Sequence, residues 1–341
     1  MDVAELEAAA RRQVGDDVWA YFQGTADGDL TKDARAWERW DLVPRVMTGL
    51  RAIDTSLSLQ EDGFTAPVLL QPTASQGAVH SEGELATRRA AARAGLLVGY
   101  SFHATVEVER FADAADAPWW AQAYTMRDRT VSDGYLRRCA AAGAGAIVLT
   151  VDVPGNLADA PFRRLPMSAP VAERGNYPRD ASGPVPVETE SCIVPADITR
   201  TADIAGLPVW VKGVMTADDA HRAADAGAVG VIVSNHARRQ LPGVAPTASV
   251  LRDVVAGVDG RVPVLVDGGI RSGTDVVRAL ALGARAVGIG RPVPWALAAG
   301  GQLRLERMIS TLIDEIRVTM AAVGAGSLDE ITDAMIRPAF V

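Results

Sequence analysis

The chain has 341 residues, of which 48% are hydrophobic, so it can bury a large core and is not an intrinsically disordered protein. Its formal net charge of −8 and its lack of a Lys/Arg run disfavour a nucleic-acid partner. The acidic N-terminus lacks the apolar run of a secretory signal. No apolar run reaches the roughly 18 residues of a spanning helix, so we expect no membrane partner.

The two cysteines bear on the compartment and on metal binding. Cys139 and Cys192 lack the spacing of metal ligands, and the sequence leaves open whether they pair. A reducing cytoplasm is the simplest compartment for such a chain, and we expect no metal site.

Short β-rich runs alternate with alanine-rich helical stretches from Pro67 onward. Eight such alternations favour an α/β protein with a closed (β/α)8 TIM barrel, although the pattern alone leaves an open doubly wound sheet possible. The predicted strands are Val68–Gln71, Leu96–Ser101, Trp119–Tyr124, Ala146–Val151, Val209–Lys212, Val229–Val233, Val264–Val266 and Ala286–Ile289. The predicted helices are Glu82–Ala94, Ser132–Ala142, Ala217–Ala226, Ser249–Ala256, Gly273–Leu282 and Leu303–Val323.

We interpret residues 1–341 as a single domain with three additions to the barrel. Residues 1–65 form an N-terminal extension with a helical segment, and residues 301–341 form a C-terminal helical segment. Residues 154–208, after the fourth strand, are long for a βα connection and rich in proline. Such insertions are usually lids or binding loops, so we expect this one to cover the barrel mouth.

The stretch Ser234 to Gln240 places a base beside a cation. His236 follows a strand-like run and precedes Arg239 by three residues. In a parallel barrel, residues just past the carboxyl end of a strand line the active-site mouth, where a base is useful. Asp152, at the end of the fourth strand, could orient His236 and stabilise its protonated form.

Two glycine-rich loops follow the seventh and eighth strands. They contain Asp267, Gly268, Gly269 and Arg271 in one, and Gly290 and Arg291 in the other. Glycines let the backbone approach an anion, and barrels commonly hold a phosphate at this position. Lys212 ends the fifth strand, where its ammonium could stabilise negative charge that develops on a cofactor or a substrate.

Taken together, the motifs resemble those of the FMN-dependent 2-hydroxy-acid oxidase and dehydrogenase family, which includes glycolate, lactate and hydroxymandelate oxidases. The resemblance covers roughly residues 16 to 335. The matching motifs are Gln71-Pro72-Thr73-Ala74, His80-Ser81-Glu82-Gly83-Glu84, Gln122-Ala123-Tyr124, Leu149-Thr150-Val151-Asp152, Val211-Lys212-Gly213, Ser234-Asn235-His236, Arg239-Gln240-Leu241, Asp267-Gly268-Gly269 with Arg271, and Gly290-Arg291-Pro292.

The resemblance implies an FMN cofactor and a role for each matching residue. Catalysis is assigned to His236, Asp152, Tyr124 and Lys212, with His236 taking a proton from the 2-hydroxy acid while a hydride equivalent reaches flavin N5. Substrate binding is assigned to Tyr21, Arg239 and Tyr124. The implied cofactor-binding residues are Pro72, Thr73, Ala74, Gln122, Thr150, Lys212, Ser234, Asp267, Gly268, Gly269, Arg271, Gly290 and Arg291.

The expected activity is oxidation of a 2-hydroxy acid, with an aryl, mandelate-like substrate as one option, to the 2-oxo acid. Oxygen or another acceptor would take the electrons, and the resemblance suggests a homotetramer. Aromatic residues near the predicted mouth, namely Trp119, Trp120, Phe102 and Trp210, are candidates for holding an aryl group, although core packing is the simpler interpretation.

The chain departs from the family pattern at several places, among them Pro242 after Gln-Leu and Tyr100 near the end of the second strand. The family's second carboxylate-binding arginine aligns with Asp159, so either Arg163 or Arg164 replaces it or the substrate differs. Where the family usually has Gly-Gly or Gly-Ala after the histidine, this chain has Ala237 and Arg238. The lid segment also looks shorter than in the family.

Three alternatives to this activity follow. The first is a flavin oxidoreductase that acts on a substrate without a doubly clamped carboxylate, or by oxidative decarboxylation. The second is a non-catalytic flavin-binding paralogue, and the third is a barrel that binds a sugar phosphate.

Overall fold

The computed structural model describes residues 3–153, 174–181 and 183–339. Its strands are β1 (Trp40–Leu42), β2 (Leu57–Leu59), β3 (Asp62–Phe64), β4 (Val68–Leu70), β5 (Leu97–Tyr100), β6 (Trp119–Ala123), β7 (Ala146–Thr150), β8 (Arg179–Asp180), β9 (Gly183–Pro184), β10 (Val209–Val214), β11 (Gly230–Val233), β12 (Val264–Asp267), β13 (Ala286–Ile289) and β14 (Ile336–Pro338). Its helices are α1 (Val3–Arg11), α2 (Asp16–Gln23), α3 (Lys32–Trp37), α4 (Gly83–Ala94), α5 (Val108–Ala112), α6 (Arg129–Ala141), α7 (Ala196–Ala205), α8 (Ala217–Asp225), α9 (Thr247–Val258), α10 (Gly273–Ala281) and α11 (Pro292–Val323).

Eight parallel strands close into a barrel in the order β10, β11, β12, β13, β4, β5, β6 and β7. The closing pair joins β10 to β7, with Val209 opposite Ile147 and Lys212 opposite Thr150. Almost every residue of these strands is buried, because one face packs inside the barrel and the other lies under the helices. The predicted barrel and all eight predicted strands are confirmed, and the open doubly wound sheet is excluded.

Each barrel strand is followed by a helix, and two of these helices were absent from the prediction. Helix α5 has only five residues, too few for a helical period to show in the sequence. Helix α7 lies within the stretch 154–208 that we had interpreted as a lid, and it contacts α6 and β7 as the fourth barrel helix does. The proline content of the stretch hid this helix, since Pro195 stands at its N-terminus, a position that tolerates proline.

The chain termini pack against the barrel. Helix α11 contacts α1 and α4, and its path breaks at Gly300 and Gly301, so the predicted Leu303–Val323 helix is its second part. The extreme C-terminal stretch is not all helical, because β14 pairs with β1 of the N-terminal extension. The extension carries α1 to α3, and α3 reaches the barrel mouth.

Within the described ranges, no helix is long and apolar enough to cross a membrane. The same part of the chain contains no group of three or more His, Cys, Asp or Glu side chains placed to hold a metal ion.

Candidate active site

One cavity opens at the carboxyl ends of the barrel strands, where side chains from successive βα loops converge. Every predicted site residue lines it except Asp152 and Ser234, which lie directly behind lining residues. The predicted residues on its wall are Tyr21, Pro72, Thr73, Ala74, Gln122, Tyr124, Thr150, Lys212, His236, Arg239, Asp267, Gly268, Gly269, Arg271, Gly290 and Arg291.

His236 and Asp152 lie within ion-pair distance of each other at the mouth of the cavity. His236 Nδ1 lies 3.0 Å from Asp152 Oδ1, which leaves Nε2 as the imidazole nitrogen that can exchange a proton with a ligand. Burial alone would raise the pKa of Asp152, but His236 and Lys212 hold it below its ordinary value. Asp152 therefore stays ionised and can stabilise an imidazolium at His236.

The backbone that presents His236 is strained. His236, Ala237 and Arg238 have φ values of 53°, 54° and 61°, three consecutive residues in the left-handed region. Such a conformation costs roughly 1–2 kcal/mol per residue outside glycine and persists only where the surroundings enforce it. Arg238 provides one restraint, because its buried guanidinium pairs with Asp27 and donates to the Asp29 carbonyl oxygen at 3.0 Å.

Lys212 is held between two acceptors on the cavity wall. Its ammonium donates to Ser234 Oγ at 2.7 Å and lies 3.3 Å from Asp267 Oδ2. Ser234 also accepts from the His236 backbone N–H at 3.2 Å. The three side chains thus link the ends of β10, β11 and β12, and they fix a buried cation next to the cavity.

The ends of β4, β6 and β7 bring amide and hydroxyl groups to the cavity wall. Gln122 donates through Nε2 to Thr150 Oγ1 at 3.0 Å and accepts from the Phe102 N–H at 3.2 Å. Gln71 was quoted in a motif but given no role, and both polar atoms of its side chain are buried without a partner among the described residues. A buried amide left unpaired at a cavity points to a ligand that completes its hydrogen bonds.

Three arginines, Arg239, Arg271 and Arg291, gather at the cavity. Burial lowers the pKa of all three, and the charges of the other two arginines help to lower that of Arg291 to about 9. Arg291 Nε is buried without a partner in the described part of the chain. Three buried guanidinium groups at one cavity, one of them with an unpaired Nε, favour the binding of anions such as a phosphate or a carboxylate.

The two glycine loops differ in what surrounds their glycines. A Cβ on Gly269 would lie 2.2 Å from the Asp33 carbonyl oxygen, so this glycine, at φ 79°, lets the N-terminal extension approach the loop. A Cβ on Gly290 would meet no atom within 4 Å, which is the open backbone that contact with an anion needs. The loop after β12 continues into α10 through a capping box formed by Ser272 and Asp275.

Aromatic side chains cover the outer part of the cavity. The Arg239 guanidinium lies over the Tyr21 ring at 5.3 Å and donates to the carbonyl oxygens of Tyr21 and Phe22. Tyr124 also lines the cavity, and burial raises the pKa of its hydroxyl, which therefore stays protonated. The mouth aromatics considered in the sequence, namely Trp119, Trp120, Phe102 and Trp210, are buried in the core and do not line the cavity.

Besides Gln71, two further residues without a role in the sequence analysis line the cavity, His103 and Asp33. His103 lines the cavity and stacks on Tyr124, with ring centroids 5.0 Å apart. Asp33 also lines it and accepts from Asn235 Nδ2 at 2.9 Å, while burial raises its pKa. Neither residue belongs to a motif with a known role, and only their placement reveals them. Asp159, Arg163 and Arg164 lie outside the described residues.

Comparison with known proteins gives a consistent result. A family model described as FMN-dependent dehydrogenase matches residues 10–338. The chain is 37% identical to glycolate oxidase of Spinacia oleracea over 98% of this chain and 95% of that protein. A mandelate oxidase variant solved with a C4a-OH-FMN adduct superposes with a TM-score of 0.87 at 34% identity, covering 99% of this chain and all of that one. A lactate oxidase of Pediococcus acidilactici gives 0.86 at 30% identity, over 99% and 95% of the two chains.

Proposed function

The chain belongs to the FMN-dependent dehydrogenase family, and from this premise we propose that its cavity oxidises a 2-hydroxy acid to the 2-oxo acid with His236 as the base. The protein is an FMN-dependent oxidoreductase of the 2-hydroxy-acid oxidase group. We propose a role for each residue from the geometry of the cavity.

The residues of the cavity fit FMN. Arg291, Arg271 and the open backbone at Gly290 would hold the phosphate, and Asp267 would act through its contact with Lys212. The backbone of Pro72, Thr73 and Ala74 would lie along the ring system, while Gln122, Thr150 and Ser234 supply hydrogen bonds around it. The unpaired amide of Gln71 adds a donor and an acceptor. When bound, FMN accepts the two electrons that the oxidation releases.

The protein's own part in the reaction is to bind the acid and move one proton. Arg239 binds the substrate carboxylate, and Tyr21 and Tyr124 donate hydrogen bonds to substrate oxygens. His236 Nε2 would remove the proton of the 2-hydroxyl group while the C2 hydrogen leaves together with its electron pair, as a hydride equivalent that the cofactor would take up, and a C=O bond remains at C2. Asp152 stabilises the resulting imidazolium, and Lys212 offsets negative charge that develops beside Ser234.

The observation that carries the proposal is the His236–Asp152 pair at 3.0 Å in a cavity that also contains Arg239. We expect the purified protein to be yellow and to lose its flavin absorbance anaerobically when lactate, glycolate or mandelate is added. His236→Ala should keep the yellow colour and reduce at least 100-fold more slowly, since a general base contributes roughly 10²–10⁴-fold. A colourless protein would exclude the cofactor, and rapid bleaching of the variant would exclude the base.

We further propose a homotetramer in the cytoplasm, with oxygen or another acceptor reoxidising the cofactor. Both cysteines are free, Cys139 buried and Cys192 exposed, which suits a reducing compartment. The exposed Val46 and Met47 are apolar surface that a neighbouring subunit could cover. Light scattering on the purified holoenzyme measures the mass of the assembly directly.

A further inference from the structure

A second histidine, His103, faces the proposed substrate. It follows β5 on the cavity wall, and its half-buried ring packs against Tyr124, Phe102 and Tyr177 at centroid distances of 5.0, 5.2 and 5.7 Å. The proposed mechanism does not use it. Its neighbour Tyr124 is one of the proposed substrate tyrosines, and Tyr21 lines the same cavity, so His103 lies on the substrate side of the cavity.

A short segment, residues 174–177, holds the His103 ring from behind. The Tyr177 hydroxyl lies 2.9 Å from His103 Nδ1, and Arg174 approaches the same hydroxyl oxygen as a hydrogen-bond donor. With Arg174 donating to the Tyr177 oxygen, we assign the Tyr177 proton to the hydrogen bond with Nδ1. The remaining proton of a neutral imidazole then lies on Nε2, which becomes a hydrogen-bond donor.

This segment is itself anchored, so the arrangement is preorganised. Asn176 Nδ2 donates to the Tyr100 hydroxyl at 2.8 Å and to the Phe102 carbonyl oxygen at 3.1 Å, and its Oδ1 accepts from the Val108 N–H at 3.2 Å. Gly175 N donates to the Ala104 carbonyl oxygen at 3.0 Å. These bonds tie residues 175 and 176 to the loop that carries His103.

His103 is an uncharged donor rather than a second cation. Burial, together with the charges of Arg174 and His236, lowers the pKa of His103 to about 3. Across the described part of the chain, Nε2 has no hydrogen-bond partner of its own, and the ring adjoins open space. A neutral N–H among aromatic rings can donate to an uncharged oxygen of a ligand, while Arg239 is the cation already proposed to bind the carboxylate.

We infer that His103 is a specificity-determining residue that donates from Nε2 to an uncharged oxygen on the 2-substituent of the substrate. This inference rests on the proposed function and narrows its substrate class to 2-hydroxy acids whose side group carries a hydroxyl or carbonyl oxygen. Tyr124, stacked on the imidazole, would give a flat side group an apolar surface.

Paired substrates that differ by one oxygen test the inference. We would measure kcat/KM of the holoenzyme for 3- and 4-hydroxymandelate against mandelate, and for glycerate against lactate. The wild type should prefer the oxygenated member of at least one pair by about 10-fold or more, since an unmet buried donor penalises the other member. His103→Phe should abolish that preference, and His103→Gln, which keeps an N–H donor, should restore part of it.

Controls separate this outcome from misfolding and from failure of the proposed function. Each variant should keep the flavin spectrum and unfold cooperatively, and His221→Gln at an exposed histidine should leave the preference unchanged. A preference that survives His103→Phe, or a wild type without preference in any pair, would overturn the inference. If no 2-hydroxy acid reduces the wild-type flavin, the proposed function itself fails.

Discussion

At the scale of single residues, the proposed chemistry depends on the carboxylate of Asp152, which does not line the cavity. Asp152 lies behind His236, and its second oxygen, Oδ2, is buried without a partner in the described part of the chain. An ionised and partly unpaired carboxylate has a strong preference for a protonated neighbour. The pair therefore suits the proposed role, in which His236 would remove a proton from the substrate and Asp152 would stabilise the imidazolium.

Replacing this carboxylate tests its role. We expect Asp152→Asn to keep FMN and the fold but to slow anaerobic flavin reduction by about 100-fold or more, because the neutral amide no longer stabilises an imidazolium. Since the pKa of Asp152 is held below its ordinary value, the wild-type rate should show no loss from Asp152 protonation between pH 5 and 7. Stopped-flow absorbance measures both rates.

Asp329→Asn, at a carboxylate in an exposed ion pair with Arg285, is the matched control and should reduce at the wild-type rate. An Asp152→Asn enzyme that reduces as fast as the wild type would remove the carboxylate from the mechanism.

At the scale of elements, Arg238 joins two parts of the site that are distant in sequence. Its guanidinium pairs with Asp27, and its carbonyl oxygen accepts from the Ala26 N–H at 2.8 Å. Residues 26–29 follow α2, which carries Tyr21. The strained loop of His236 and the helix of Tyr21 are thus fastened together through a side chain at a position where the family pattern has a small residue.

We expect Arg238→Gly to destabilise the protein by about 2 kcal/mol. Breaking a buried ion pair costs about 3 kcal/mol, and relief of the left-handed backbone returns about 1 kcal/mol. The KM for the hydroxy acid should rise more than kcat falls, because Tyr21 loses its fixed position. Urea unfolding and steady-state kinetics measure the two effects.

The exposed pair of Arg261 and Asp225 provides the comparison, since Arg261→Gln should cost under about 1 kcal/mol and leave KM unchanged. Equal stability of Arg238→Gly and the wild type would show that the pair does not restrain the loop.

At the scale of the whole molecule, the barrel holds three arginine side chains close together at its mouth, and their mutual repulsion lowers the stability of the protein without cofactor. Arg239, Arg271 and Arg291 come from three different loops, and burial lowers the pKa of each. Like charges held together by the fold repel one another until an anion arrives. We therefore expect the bound cofactor to contribute substantially to the stability of the barrel.

Excess FMN should raise the free energy of unfolding by about 2.7 kcal/mol at a concentration 100 times its Kd. Arg291→Met should leave the stability of the apoprotein nearly unchanged, because relief of repulsion offsets its lost bonds to Ala237 and Gly24. At the same FMN concentration, however, the free energy of unfolding of the variant should rise by less than that of the wild type. Thermal unfolding at increasing FMN concentrations measures this, with Arg285→Met at an exposed site as control.

The sequence alone predicted the barrel because the barrel depends on local signals, whereas the roles of most candidate site residues came from the resemblance to the family and stay predictions. Each strand is a short apolar run with a helix after it, and the residues directly past strands must meet at one end of a parallel barrel. Lys212, His236 and Arg291 could therefore be assigned to the mouth without coordinates. Helices α5 and α7 were missed because one is very short and the other is hidden by a proline-rich stretch.

Only the tertiary structure decided which polar groups are in contact and which of them lack a hydrogen-bond partner. The Tyr177–His103 contact joins side chains 74 positions apart, and Arg238 reaches Asp27 across 211 positions. Such separations are set by closure of the barrel and by the path of the loops, which leave no periodic signal in the chain. The sequence by itself determined the fold and the class of chemistry. The packed structure decided the charge state of the buried groups and the shape of the substrate pocket, because both depend on burial and on neighbours that are remote in sequence.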